Sequence, residues 1–201
     1  MSKTFSYFGK MKTNKRILIL NTSQKLFAQF GLTKVTTDEI AREASVSKAT
    51  IYKYFDNKNA IFQDIVQIEF DQLLTAITEA VDRENTVMGK FRAHLLTKIE
   101  NLRKLINFYR VTQKEWGNYW PFVEEIREKF IAEEKKIVKD ILRLGKRTGE
   151  LDIKDIDLTA HIMAVSLKSV EFPWAIESQK VSVPEFVDMM LHMMMEGLKK
   201  R

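Results

Sequence analysis

At 201 residues, 45% hydrophobic and 30% charged, the chain has an ordinary globular balance and enough length to bury a core as one domain or two small ones. The absence of Cys excludes a disulfide framework, cysteine-ligated zinc and a cysteine nucleophile, while seven Gly and three Pro argue for few tight turns and long helices. The net charge of +6 is unevenly spread: residues 1–60 hold 11 Lys+Arg against 4 Asp+Glu, and the other 141 hold 22 against 23. A basic head on a neutral body suits a nucleic-acid partner, although a charge count alone fits a solvated surface as well. No signal-peptide core and no apolar run near the roughly 18 residues of a membrane span occurs, so the expectation is a cytoplasmic protein with no membrane partner.

Residues 1–12 lack periodicity, and Lys10, Lys12, Lys15 and Arg16 lead into the first helix. Such an arm can touch phosphates or a minor groove, or simply fray. The first helix is expected from about Thr13 to Phe30, with Ile19, Ser23, Phe27 and Phe30 at helical spacing and Gly31 as a C′ residue.

From Thr36 to Lys58 the spacing predicts two short helices joined by a tight turn. Thr36 and Glu39 form a capping box, and Ile40, Ala41 and Ala44 share one face. Ser45-Val46 breaks that pattern, and Ser47 then caps a second helix whose Ile51 and Phe55 face inward. Ser47, Lys48, Thr50, Lys53 and the two tyrosines Tyr52 and Tyr54 are left outside. This is a basic, hydroxylic face of the kind a helix-turn-helix presents to a major groove.

The runs ILNTSQKLFAQFG and TTDEIAREASVSKATIYKYFDNK resemble the N-terminal domain of TetR-type (tetracycline-repressor-like) transcriptional regulators, over roughly residues 13 to 62. Ser45 stands where that family usually carries Gly, which implies a left-handed Ser in the turn. The resemblance implies phosphate contacts from Thr37, Lys48, Tyr54 and Lys58, with Ser47, Ala49, Thr50 and Lys53 approaching base edges. It also implies a ligand pocket in the body. Beyond residue 62 it is one of architecture and helix count.

Asp56-Asn57 offers caps for a fourth helix, running to about Asp82 on the stripe Ile61, Ile65, Ile68, Leu73 and Ile77. Lys58 then opposes the dipole in its first turn unless a phosphate sits nearby. No Pro/Gly-rich linker follows, so head and body should be joined by helix. A fifth helical stripe is Phe91, Leu95, Ile99, Leu102 and Ile106. In FYRVTQKEWGNYWPF, Gly117-Asn118 and Pro121 predict a loop or broken helix, followed by a helix from about Pro121 to Arg147. The aromatics of that stretch are open to two readings, as core or, with Phe91, His94, Tyr109, Trp116, Trp120 and Trp174 together, as the lining of a pocket.

The last two helices, expected over 155–177 and 184–200, are apolar nearly all round, and a second copy of the chain would cover them. The paired surface is expected to involve Val165, Val170, Met190, Met194 and Leu198. Asp157 and His161 stand four apart and could share a metal, although a surface hydrogen bond or cap is the simpler reading. No HExxH, GxSxG, phosphate-binding Gly loop or Rossmann fingerprint occurs, which argues against an enzyme and against a cofactor.

The expectation is therefore an all-α fold of about nine helices, with a DNA-binding head over residues 1–57 and a helical ligand-binding and dimerisation body over 58–201. The function expected is that of a homodimeric repressor, released from a palindromic double-stranded DNA operator by a small hydrophobic or aromatic effector. The alternative is a helical interaction protein with a non-specific basic head and no effector.

Overall fold

The computed structural model describes residues 15–112, 116–168 and 182–198, and the side chains of 15–101, 125–166 and 182–198. The fold is all-α, with eight helices among the described residues: α1 (Lys15–Phe30), α2 (Thr37–Glu43), α3 (Lys48–Tyr54), α4 (Lys58–Asp82), α5 (Val87–Thr112), α6 (Trp116–Thr148), α7 (Ile156–Lys168) and α8 (Val183–Glu196). The chain forms two units. One comprises residues 1–67 with 107–122, and the other 68–106 with 123–201.

In the first unit α1, α2 and α3 pack on one another around the buried Ile19, Leu20, Phe27, Ile40, Ile51 and Phe55. The capping box at Thr36 is formed: the Glu39 carboxylate accepts from the Thr36 amide at 2.7 Å, and the Glu39 amide donates to Thr36 Oγ1 at 3.2 Å. At the other end of α2 the Ser45 amide donates to the Arg42 carbonyl and the Val46 amide to the Ala41 carbonyl. That pair of bonds is a Schellman ending, and it places Ser45 at φ 51, the left-handed region that favours glycine. Gly31 closes α1 at φ 92 in the expected way. The head reaches past residue 57, because the first turns of α4 belong to it: Phe62 meets Phe27 edge-to-face at 6.1 Å, and Asp64 pairs with Arg16.

In the second unit, Phe70 of α4 meets Phe130 of α6 at 5.3 Å between ring centroids. Beside Phe130 lies a charged cluster that the apolar stripes did not announce. Glu134 of α6 accepts from Lys98 Nζ at 2.8 Å, and its other oxygen lies 2.9 Å from His94 Nε2, all three side chains being at most 2% exposed. Burial alone would push the Glu134 carboxyl up, but the Lys98 ammonium and then the His94 ring outweigh it and hold the pKa at about 2. Arg92 of α5 grips Asp188 of α8 through Nε at 2.7 Å and Nη2 at 3.3 Å, tying the last helix to the body.

Two differences from the sequence reading concern helix length. Gly117, Asn118 and Pro121 lie within the first turns of α6 instead of a loop: Gly117 and Asn118 fall in the first turn, where amides lack intrahelical partners, while Pro121, the sixth residue, costs the helix the one bond its amide would give to the Gly117 carbonyl. The last helix starts one residue before Pro184, on a capping box between Ser182 and Glu185.

Ser45→Gly should raise the stability of the head by about 1 kcal/mol, because it removes the left-handed cost without touching a bond, as a denaturation midpoint would read. Glu134→Ala removes a buried carboxylate that Lys98 meets at 2.8 Å and His94 at 2.9 Å, and should cost about 3–5 kcal/mol in urea unfolding. The lowered Glu134 pKa adds stability that is complete above its ordinary 4.5 and fades as pH falls from there towards about 2. The variant should show less of this acid loss than the parent.

Candidate nucleic-acid interface

The short helix α3 is held from both sides of its own sequence. Ser47 caps it by accepting from the Thr50 amide at 3.1 Å, and Ile51 and Phe55 anchor its inner face at 0% and 4% exposure. The opposite face is open: Ser47, Lys48, Ala49, Lys53, Tyr52 and Tyr54 are exposed, the tyrosines at 48% and 36%, and Thr50 is half-buried. Thr37, the first residue of α2, is half-buried beside the capping box. The Ser47 and Thr50 hydroxyls lie 2.8 Å apart and share a hydrogen bond. Lys48 Nζ donates to Asp38 at 2.9 Å, and that hydrogen bond raises its pKa above the ordinary lysine value. Both partners are open to water, so the pair is weak and exchangeable for a phosphate.

Lys58 is differently engaged from what its place in α4 suggested. Asn57 caps the helix by accepting from the Ala60 amide at 3.0 Å, and the Lys58 side chain turns back towards the chain between α1 and α2. Its ammonium donates to the carbonyls of Leu32, Thr33 and Val35 at 2.6, 3.3 and 2.7 Å. An ammonium has three N–H donors, and these carbonyls match them in number. The charge is met by carbonyl dipoles of the head itself, which removes the need for a phosphate to offset the helix dipole. Arg16, expected in a basic arm, pairs with Asp64 and lies over the Phe55 ring at 5.2 Å. Lys10 and Lys12 lie outside the described residues.

Of the six candidate pocket residues, two have described side chains. Phe91 and His94 are fully buried in the second unit, whereas Tyr109, Trp116 and Trp120 belong to the segment 107–122 that groups with the first. Phe91 and Tyr109 both sit on α5, where 18 intervening steps at 1.5 Å each amount to about 27 Å along the axis. The side chains of Tyr109, Trp116 and Trp120, and the whole of Trp174, lie outside the described residues.

Of the candidate interface residues, Val165 is exposed, while Met190, Met194 and Leu198 are half-buried; Val170 lies outside the described residues. The widest apolar exposure falls on neighbours that the sequence reading passed over. Leu158 and Ile162 are each 55% exposed on α7, and Met189 and Met193 are 63% and 66% exposed on α8. The signal was available: Leu158, Ile162 and Val165 follow helical spacing, and Met189 and Met193 stand opposite the buried row Val183, Val187, Leu191, Met195. Asp157 pairs with Lys139, whose hydrogen bond holds its carboxyl below the usual range, and His161 is exposed. Among the described residues no three His, Cys, Asp or Glu side chains stand together as a metal site, and no helix is long and apolar enough to cross a membrane.

Residues 19–65, which span this head, match the family model for bacterial regulatory proteins of the tetR family. The uncharacterised HTH-type transcriptional regulator YdeS of Bacillus subtilis is 31% identical over 147 residues, covering 72% of this chain and 70% of that protein. A second HTH-type regulator of the same organism, YuxN, is 30% identical over 57% of this chain, and the match spans only 38% of YuxN's length. The fold is shared with the transcriptional regulator FadR from Bacillus subtilis, solved in complex with stearoyl-CoA, at a TM-score of 0.69 and 21% identity over 90% of this chain and 98% of FadR. The family is one of regulators and not of enzymes. Its model lies on a helix-turn-helix whose caps, turn and exposed recognition face are all formed, and YdeS carries the likeness well into the body, so the chain belongs to the tetR family of bacterial regulatory proteins and is a DNA-binding transcriptional regulator.

Proposed function

We propose that the chain is a repressor that binds a palindromic operator as a homodimer and leaves it when a small, largely apolar effector binds the body. The observation that carries the reading is α3, a seven-residue helix capped and buried on one side, with lysines, hydroxyls and tyrosines left exposed on the other. On DNA, Lys48, Tyr54 and Thr37 take phosphates, while Ser47, Ala49, Thr50 and Lys53 approach base edges and Tyr52 flanks them. Phosphate contacts set affinity and base contacts set sequence choice. Lys58 is left out of the phosphate set, since its ammonium serves the head.

One helix-turn-helix covers a half-site, and two-fold pairing aligns two of them about 34–36 Å or a multiple apart. The exposed rows Leu158, Ile162, Val165 and Met189, Met193 support pairing through α7 and α8, with Met190, Met194 and Leu198 at their flanks. Effector release works through α4, a single helix of 25 residues whose first turns belong to the head and whose remainder belongs to the body. An effector that favours a different α4 position changes the spacing of the recognition helices. Tenfold release needs about 1.4 kcal/mol of differential affinity. That FadR was solved with stearoyl-CoA is in keeping with a largely apolar effector on this fold.

A base-pair-resolved footprint should show one palindromic site, and uniform coverage would favour a non-specific basic head without an effector. Lys48→Ala should weaken binding to all sequences alike and flatten the dependence of log affinity on log salt by about one unit. Lys58→Met should leave that slope unchanged while lowering the melting temperature, because three carbonyls lose a charged donor. Light scattering at micromolar concentration should give a dimer of 23.6 kDa chains. Met189→Glu with Met193→Glu should yield monomers, since the new carboxylates would be buried without partners in the pair. A double variant that remains dimeric moves the interface elsewhere.

A further inference from the structure

The buried cluster of His94, Lys98 and Glu134 has no part in DNA contact or in the exposed rows of α7 and α8. It joins α5 to α6 in the second unit, and its charges are closely matched: the Lys98 ammonium meets Glu134 at 2.8 Å. Two further buried charges of the same unit, Glu69 and Arg127, are again one of each sign. These buried charges are matched in sign without any contribution from the ring.

The orientation of the ring follows from its neighbour. His94 Nε2 lies 2.9 Å from Glu134 Oε1, off the line of a well-formed hydrogen bond. A lone pair facing a carboxylate oxygen at that distance would be repelled, so Nε2 carries the hydrogen and Nδ1 keeps the lone pair. Nδ1 is itself fully buried and accepts from no group among the described residues. A buried acceptor left in that state is costly, and a hydrogen-bond donor supplied by a ligand would recover the cost.

We propose that His94 Nδ1 is the acceptor for the hydroxyl of an effector, so that the effector class is an uncharged, largely apolar phenol or alcohol and not an ionised acid. This rests on the reading of the body as the effector domain. The Nδ1 lone pair repels an anion, whereas a hydroxyl donates into it; the Glu134 charge is already met by the Lys98 ammonium. The fully buried Phe91 and Leu95, within one turn of His94 on α5, favour an apolar body for the remainder. Burial of Nδ1 also supplies the coupling. A ligand that reaches it binds only a rearranged conformation of the body, and this gives the differential affinity that release from DNA requires.

The test uses the full chain labelled with 15N in histidine and a series of 4-alkylphenols, ethyl to octyl, each against its methyl ether. The His94 resonances are assigned with His94→Gln. Before addition, the ring should show the tautomer protonated at Nε2. At least one phenol should move the Nδ1 resonance in the direction of an accepted hydrogen bond and bind ten times or more tighter than its ether. His94→Phe, which keeps an apolar ring, should lose that preference. A ring protonated at Nδ1 overturns the assignment, as does a whole series in which no phenol perturbs Nδ1 or in which phenol and ether bind alike. Operator affinity measured without any probe reports on the regulator independently, so failure at His94 with specific DNA binding intact removes the effector class alone.

Discussion

Two seven-residue helices cannot hold themselves, and that constraint governs the head. In water a helix of that length does not offset the cost of its own nucleation, so α2 and α3 exist because something else fixes both ends and one face of each. The ends are fixed by the Thr36–Glu39 box, the Schellman turn at Ser45 and the Ser47 cap, and the faces by Ile40, Ile51 and Phe55 against α1. Every group spent in this way points inward or along the chain. What remains outside is the set of lysines, hydroxyls and tyrosines available to a groove.

The two units keep their charges in opposite ways. In the head, Lys48 pairs with Asp38 in water, a contact that salt screens and a phosphate can replace. In the second unit the charges of Lys98 and Glu134 are out of reach of water, and removing either partner exposes the full desolvation penalty of the other. A surface built for exchange and a core built for pairing follow from the same Coulombic attraction at different exposures. The helix α4 belongs to both units and carries no glycine or proline along its 25 residues.

The elements legible in the sequence were those set by local rules. The capping box at Thr36, the Ser47 cap, the C′ Gly31 and the inward Ile51 and Phe55 each depend on residues no more than four apart, and each is formed as read, as is the left-handed Ser45 that the family resemblance implied. Helix ends were less legible. Gly117, Asn118 and Pro121 read as a break, but the amides of Gly117 and Asn118 have no intrahelical partner to lose at a helix start, and the single bond missing at Pro121 is tolerated within α6. The aromatic group was legible as residues and not as a site, because periodicity along one helix does not say which side chains of different helices meet.

By itself the sequence determined the all-α class, the helix-turn-helix with its caps and turn, and the basic character of the head, because periodicity and capping act over one or two turns. The tertiary structure alone decided which partner each long side chain takes. Lys58 reads as a free cation until α4 is set against the chain between α1 and α2, where three carbonyls separated from it by more than twenty residues receive it. Lys98 and Glu134 read as scattered polar positions, and His94 as a pocket candidate, until α5 and α6 bring residues up to 40 apart in sequence within reach of one another. A long charged side chain has many reachable partners in an unfolded chain, and only packing at a distance narrows them to a few.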